Sequence, residues 1–145
     1  MELRGETILQ ARTEDVWSAL HDTEQLKHCI RGCEVLEWID EQTLEACLTL
    51  RVAGMKYRCA SHVHIRDQVP MKGYTLLFGR HAESASVSSV VRLSAHEEGT
   101  QITYEVEARL DNALARLGAG VMERLARKMA TQFFKCLDKS LGGST

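Results

Sequence analysis

Two pairs in this chain have side chains and spacing that could do chemistry. His62 and His64 stand two apart in "SHVHIRD", and Cys29 and Cys33 stand four apart in "HCIRGCE". On a strand, residues i and i+2 point the same way, so H-x-H could offer two imidazoles to one metal. Alternation sets both histidines beside Lys56 and Arg58 on the polar face of their segment, with no third ligand evident. A solvated sheet face outweighs a metal site on that evidence. The C-x3-C pair is neither the C-x2-C redox spacing nor half of a zinc pattern. Five cysteines in all, an odd number without a secretory signal, read as reduced thiols. On that reading Cys29 and Cys33 are small buried apolar side chains.

The elements that position these residues follow from periodicity. Residues 2–10 read as a strand, and 14–20 as a short helix capped by Thr13. Asp22 and Gln25 form a capping-box pattern for a second short helix ending near Cys29. Period-two alternation then predicts strands over 33–40, 43–52, 55–67, 74–80, 86–96 and 101–110. From Asp111 to Leu141 the period becomes helical, with Leu114, Leu117, Val121, Leu125, Met129, Phe133 and Leu137 in one stripe. Gly118 and Gly120 near its start each cost an interior helix about 1 kcal/mol relative to alanine. Their missing side chains are read as trading helix stability for cavity volume or a portal, with close packing on the sheet as the rival reading. The expected architecture is α+β: a curved seven-stranded antiparallel sheet around a long C-terminal helix, with two short helices after strand 1. The 145 residues form one domain, 1–145, with 141–145 a frayed tail.

Alternation also assigns an inner face: Leu44, Ala46, Leu48, Leu50, Tyr57, Cys59, Ser61, Val63, Tyr74, Leu76, Phe78, Val87, Ser89, Val91, Leu93, Ile102, Tyr104 and Val106. It holds no His, Asp, Glu or Lys, so it lacks an acid, a base or a charged nucleophile. Apolar walls with a few hydroxyls suit a binding site. The expected ligand contacts are Leu48, Tyr57, Ser61, Tyr74, Leu76, Phe78, Ser89, Val91 and Tyr104 from the sheet, with Leu117, Gly118, Val121 and Leu125 from the helix. No catalytic residue and no metal ligand is assigned. A one-residue slip in register would bring Arg58, His62 or Arg92 inward and reopen an enzymatic reading. Trp17 and Trp38 read as core or rim residues. The net charge of −2 excludes a global basic field for nucleic acid. Residues 109–139 nevertheless hold seven Lys or Arg against three acids, a basic helix suited to anionic lipid or an acidic partner. No apolar run reaches the roughly 18 residues that span a bilayer, and the cytoplasm is the expected location.

"VWSAL", "LKHCIRGCEVLE", "YTL", "ITYEVEARL" and "MATQFFKCL" together resemble the family of the carbon monoxide dehydrogenase G subunit, within the START-like, helix-grip (SRPBCC) superfamily. The resemblance runs from Met1 to about Leu141. "CIRGCE" is similar to the family's C-I-P-G-C-E turn, with Arg31 where the family has proline. The family's glycine-rich loop is replaced by "HAESASVSS", and its extended C-terminal tail does not follow. The resemblance implies a helix-grip fold and a cavity for a lipid, isoprenoid or quinone, with no covalent cofactor. It also implies an accessory or recruitment role toward a molybdenum hydroxylase of the carbon monoxide dehydrogenase type, peripheral to the inner membrane face. A polyketide cyclase/dehydratase-like enzyme and an interaction module without ligand remain the alternatives.

Overall fold

The computed structural model describes residues 1–109 and 113–142, without the side chains of Ala113 and Leu114. Strands β1 (Glu2–Leu9), β2 (Cys33–Asp40), β3 (Thr43–Val52), β4 (Met55–Val69), β5 (Gly73–Phe78), β6 (Val87–His96) and β7 (Gly99–Ala108) form one sheet. All neighbouring pairs are antiparallel, in the order β1-β7-β6-β5-β4-β3-β2. Helices α1 (Thr13–Ala19) and α2 (Thr23–Cys29) follow β1, and α3 (Ala119–Ser140) closes the chain. Short 3-10 turns occupy Ala82–Ser84 and Ala113–Leu117.

The register follows the alternation in the sequence. Leu44 lies opposite Val63, Leu48 opposite Cys59, Leu76 opposite Ser89, and Val91 opposite Tyr104. All eighteen residues assigned inward share that face, and Arg58, His62 and Arg92 lie on the other. Any slip by one residue would turn the apolar set to solvent, so burial pins the pairing. A register shift between Arg66 and Val69, with Asp67 at φ 53°, bends β4.

α3 runs along the edge strand β1. The Arg127 guanidinium donates to the Arg4 carbonyl (3.4 Å), and the Gln10 amide donates to the Asp138 carboxylate (2.8 Å). The tight core gathers at one end of the molecule. Leu9, Val16, Ala19, Leu26, Ile102 and Leu137 are buried there under α1, α2 and the last turns of α3. Toward the other end Leu48, Leu50, Tyr57, Cys59, Val87 and Val106 stay half-buried, because the sheet outruns its cover.

Several local expectations are corrected. The last helix begins at Ala119, not Asp111. At 22 residues it spans about 33 Å. Asp111 and the Leu114 side chain lie outside the described residues, as do 143–145 of the expected frayed tail. Leu141 and Gly142 are held by bonds to Leu137, Asp138 and Lys139 carbonyls. Gly118 is not interior: it is the N-cap of α3 at φ 91°, a backbone conformation that favours glycine. Thr13 is the first residue of α1 rather than its cap, and its hydroxyl meets that of the buried Thr100 at 3.2 Å. Asp22 does cap α2, accepting from the Glu24 and Gln25 amides, but Gln25 reaches its carboxylate instead of its amide.

The thiols are also not all reduced. Cys29 is bonded to Cys136, 107 residues away, while Cys33, Cys47 and Cys59 are free. Sequence spacing hides this pair because only the docking of α2 on α3 brings the two together. The cysteine count therefore carries no statement about compartment. His64 departs as well: it is only 8% exposed and hydrogen-bonds the Gly79 carbonyl at 3.0 Å, so it is not on a wet face.

Candidate ligand cavity

Beneath the middle of α3, where the core thins, lies a cavity of about 250 Å³. Leu3 of β1, Ser89 and Val91 of β6, and Tyr104 and Val106 of β7 form its floor. Ala126, Met129, Ala130, Phe133 and Phe134 of α3 form its roof. The two alanines leave space that larger side chains would fill. Tyr104 and Phe134 stack at 5.4 Å, and Phe133 meets Phe134 edge-on at 5.1 Å.

Gly5 shapes the floor. It pairs with Tyr104 across the β1–β7 ladder, and a side chain there would overlap the tyrosine ring. The missing Cβ lets the ring lie flat over β1, a device that protects strand glycines and here keeps the tyrosine out of the hollow.

Ile30, Arg31 and Gln132 line the side of the cavity. Arg31, Met129 and Gln132 also line an adjoining groove of about 520 Å³, so these three side chains stand between the two spaces. The groove adds Gly32, Cys33, Glu34, Thr49, Leu50, Arg51, Leu125 and Lys128. The turn carrying Arg31 is fixed from three directions. The Cys33 amide donates to the Ile30 carbonyl (3.1 Å), the Thr49 amide donates to the Gly32 carbonyl (2.9 Å), and the Cys29–Cys136 bond ties α2 to α3. Gly32 is required there: at φ 81°, any Cβ would overlap the Thr49 carbonyl oxygen.

The sequence profile of the carbon monoxide dehydrogenase G subunit (CoxG) matches residues 5–142. The chain belongs to the CoxG family. A conserved protein from Geobacillus kaustophilus has 28% identity to it over 98% of this chain and 95% of that one, with a TM-score of 0.86. The Aha1 dimer from Colwellia psychrerythraea (16% identity, 97% and 96% covered, TM-score 0.66) shares the helix-grip fold. So does the di-domain ARO/CYC StfQ from the steffimycin biosynthetic pathway (11% identity, 95% and 49% covered, TM-score 0.68). No curated protein matches the chain.

Within this CoxG fold, the expected contact residues separate into groups. Ser89, Val91 and Tyr104 line the cavity, and Leu125 lines the groove. Leu48, Tyr57, Ser61, Leu76 and Phe78 lie on the same inner face, half-buried beyond the cavity. Ser61 donates to the His62 carbonyl at 2.9 Å. Tyr74 is buried in a separate aromatic cluster, 5.6 Å from Trp17 and 5.5 Å from His21. Desolvation there raises its phenol far above the ordinary range. Leu117, Gly118 and Val121 lie at or before the first turn of α3 and do not line the cavity. A side chain on Gly118 would meet open space, and one on Gly120 only the end of Arg124. The hollow therefore owes nothing to these two glycines.

Sequence reasoning missed Leu3, Ile30, Arg31, Ala126, Met129, Ala130, Gln132, Phe133 and Phe134 as contacts, and it placed Val106 on the inner face without naming it as one. Alternation finds the face of a strand but not the crossing position of a helix. One signal was present: the arginine that stands where the family turn has proline.

On the outer face, Glu34 accepts from the Thr49 hydroxyl (2.6 Å) and faces the Arg58 guanidinium (3.5 Å). The Thr49 hydrogen bond, then Arg58, hold its carboxyl below the ordinary range. No group of three or more His, Cys, Asp or Glu able to hold a metal occurs among the described residues.

Proposed function

We propose that this protein binds a hydrophobic small molecule, of lipid, isoprenoid or quinone type, between its sheet and α3, without catalysing a reaction on it. The observation that carries the reading is the under-filled hollow roofed by Ala126 and Ala130 and walled by aromatic and aliphatic side chains. Among the described residues its lining contains no Asp, Glu, His or Lys, so they offer no acid–base pair for a cyclase or dehydratase step. Removing roughly 400 Å² of apolar ligand surface from water favours binding by about 10 kcal/mol gross at 25 cal/mol per Å². Ordering of ligand and loops offsets much of that.

Family membership supports a role beside a molybdenum hydroxylase of the carbon monoxide dehydrogenase type, as an accessory that recruits the enzyme or delivers a ligand to it. In this reading the protein works in the cytoplasm, peripheral to the inner membrane face. Arg124, Lys128, Lys135 and Lys139 are exposed on α3 and would meet anionic headgroups. The direct test is organic extraction of the purified protein followed by mass spectrometry. A recurring acyl or isoprenoid species in near-stoichiometric amount is expected. Protein that emerges empty and takes up no neutral apolar dye would leave the interaction-module reading in its place.

A further inference from the structure

The mouth of the cavity differs from its interior. Arg31 stands where cavity and groove meet, and Arg51 and Lys128 line the groove beside it. Among the described residues, none of these three cations pairs with a carboxylate. Among the described residues Glu34 is the one acid lining the groove, and it is already engaged by Thr49 and Arg58. Three unpaired cations in a groove beside an apolar pocket hold an anion more strongly than a neutral ligand's polar end. The Ile30, Gly32 and Cys29 tethers fix the backbone of the turn that carries Arg31, so the turn itself need not order on binding.

We infer that the ligand is an acidic amphiphile, whose apolar chain enters the cavity and whose carboxylate or phosphate head is held by Arg31, Arg51 and Lys128. This rests on the binding function proposed above and narrows it from hydrophobic molecules in general to anionic ones. The groove, at about 520 Å³, has the size of an ordinary ligand pocket, while the cavity, at about 250 Å³, accepts only a chain end.

The test is displacement of Nile red, a neutral dye, by dodecanoate, dodecyl phosphate and dodecanol at low and high salt. At low salt either acid should bind about tenfold or more tightly than the alcohol, a difference of about 1.4 kcal/mol. High salt should shrink that margin through screening. Arg31→Gln should remove most of the margin, weakening both acids about tenfold more than it weakens dodecanol. Lys72→Gln, in the β4–β5 turn and lining neither space, should leave the margin intact. The stronger of the two acids identifies the head as carboxylate or phosphate. Equal affinity for acids and alcohol would overturn the anionic assignment and leave the binding function standing. If neither the dye nor any competitor binds, both readings fail together, and the dodecanol arm separates the two cases.

Discussion

At the scale of single residues, Gly5 and Tyr104 set the size of the hollow. The Gly5→Val variant keeps β-propensity but pushes the tyrosine ring toward the cavity. It should cost about 1–3 kcal/mol by overpacking. Uptake of Nile red should fall about tenfold or more. Full uptake would show that Tyr104 does not bound the site. Arg31, in sequence only a departure from a turn motif, becomes informative once the turn is seen beside α3. Tyr74 shows the converse. Its inward parity was legible, but its neighbours Trp17 and His21 come from elsewhere in the chain, so its place in a separate cluster was not.

At the scale of elements, α3 is held at both ends by different means. At its start, Gly118 takes φ 91° in open space, while Gly120 lies inside the first helical turn. Gly118→Ala should therefore destabilise by about 1 kcal/mol. Gly120→Ala should stabilise by up to about 1 kcal/mol. Urea denaturation of the two variants checks this, and equal effects would contradict the assignment of Gly118 as cap. At its end, Cys29–Cys136 closes a loop of 107 residues. A loop of about 100 residues contributes near 4.7 kcal/mol in the chain-entropy picture. Cys136→Ser, or reduction of the native chain, should lower unfolding free energy by several kcal/mol. Alkylation of the unfolded, unreduced chain should modify only Cys33, Cys47 and Cys59. Modification of all five would rule the bond out.

At the scale of the whole molecule, the tightly packed core and the hollow lie side by side under the sheet. The packed end, with Leu9, Val16, Ile102 and Leu137, carries the cohesion, and the hollow under the middle of α3 is where the proposed ligand would sit. Ligand should accordingly raise Tm with concentration, by linkage. Acid should lower it. Glu34 is held down by Thr49, and Asp40 by the Gln42 amide, both below their ordinary values. A carboxyl depressed on folding stabilises above its unfolded pKa and loses that contribution as pH falls through the folded value. With respect to these groups, Tm should thus be flat from about pH 7 to 5 and decline below about pH 4. Thr49→Val should blunt the Glu34 share of that decline.

The sequence by itself determined the element order, the inner face of strands β3 to β7 and the family, because alternation and helical period are local and a one-residue slip is penalised along the whole sheet. The tertiary structure alone decided where α3 crosses, which thiols meet, and that Arg31 lines both the hollow and the groove beside it. Those features join residues far apart in the chain, and no local periodicity records the angle and offset at which one element lies on another.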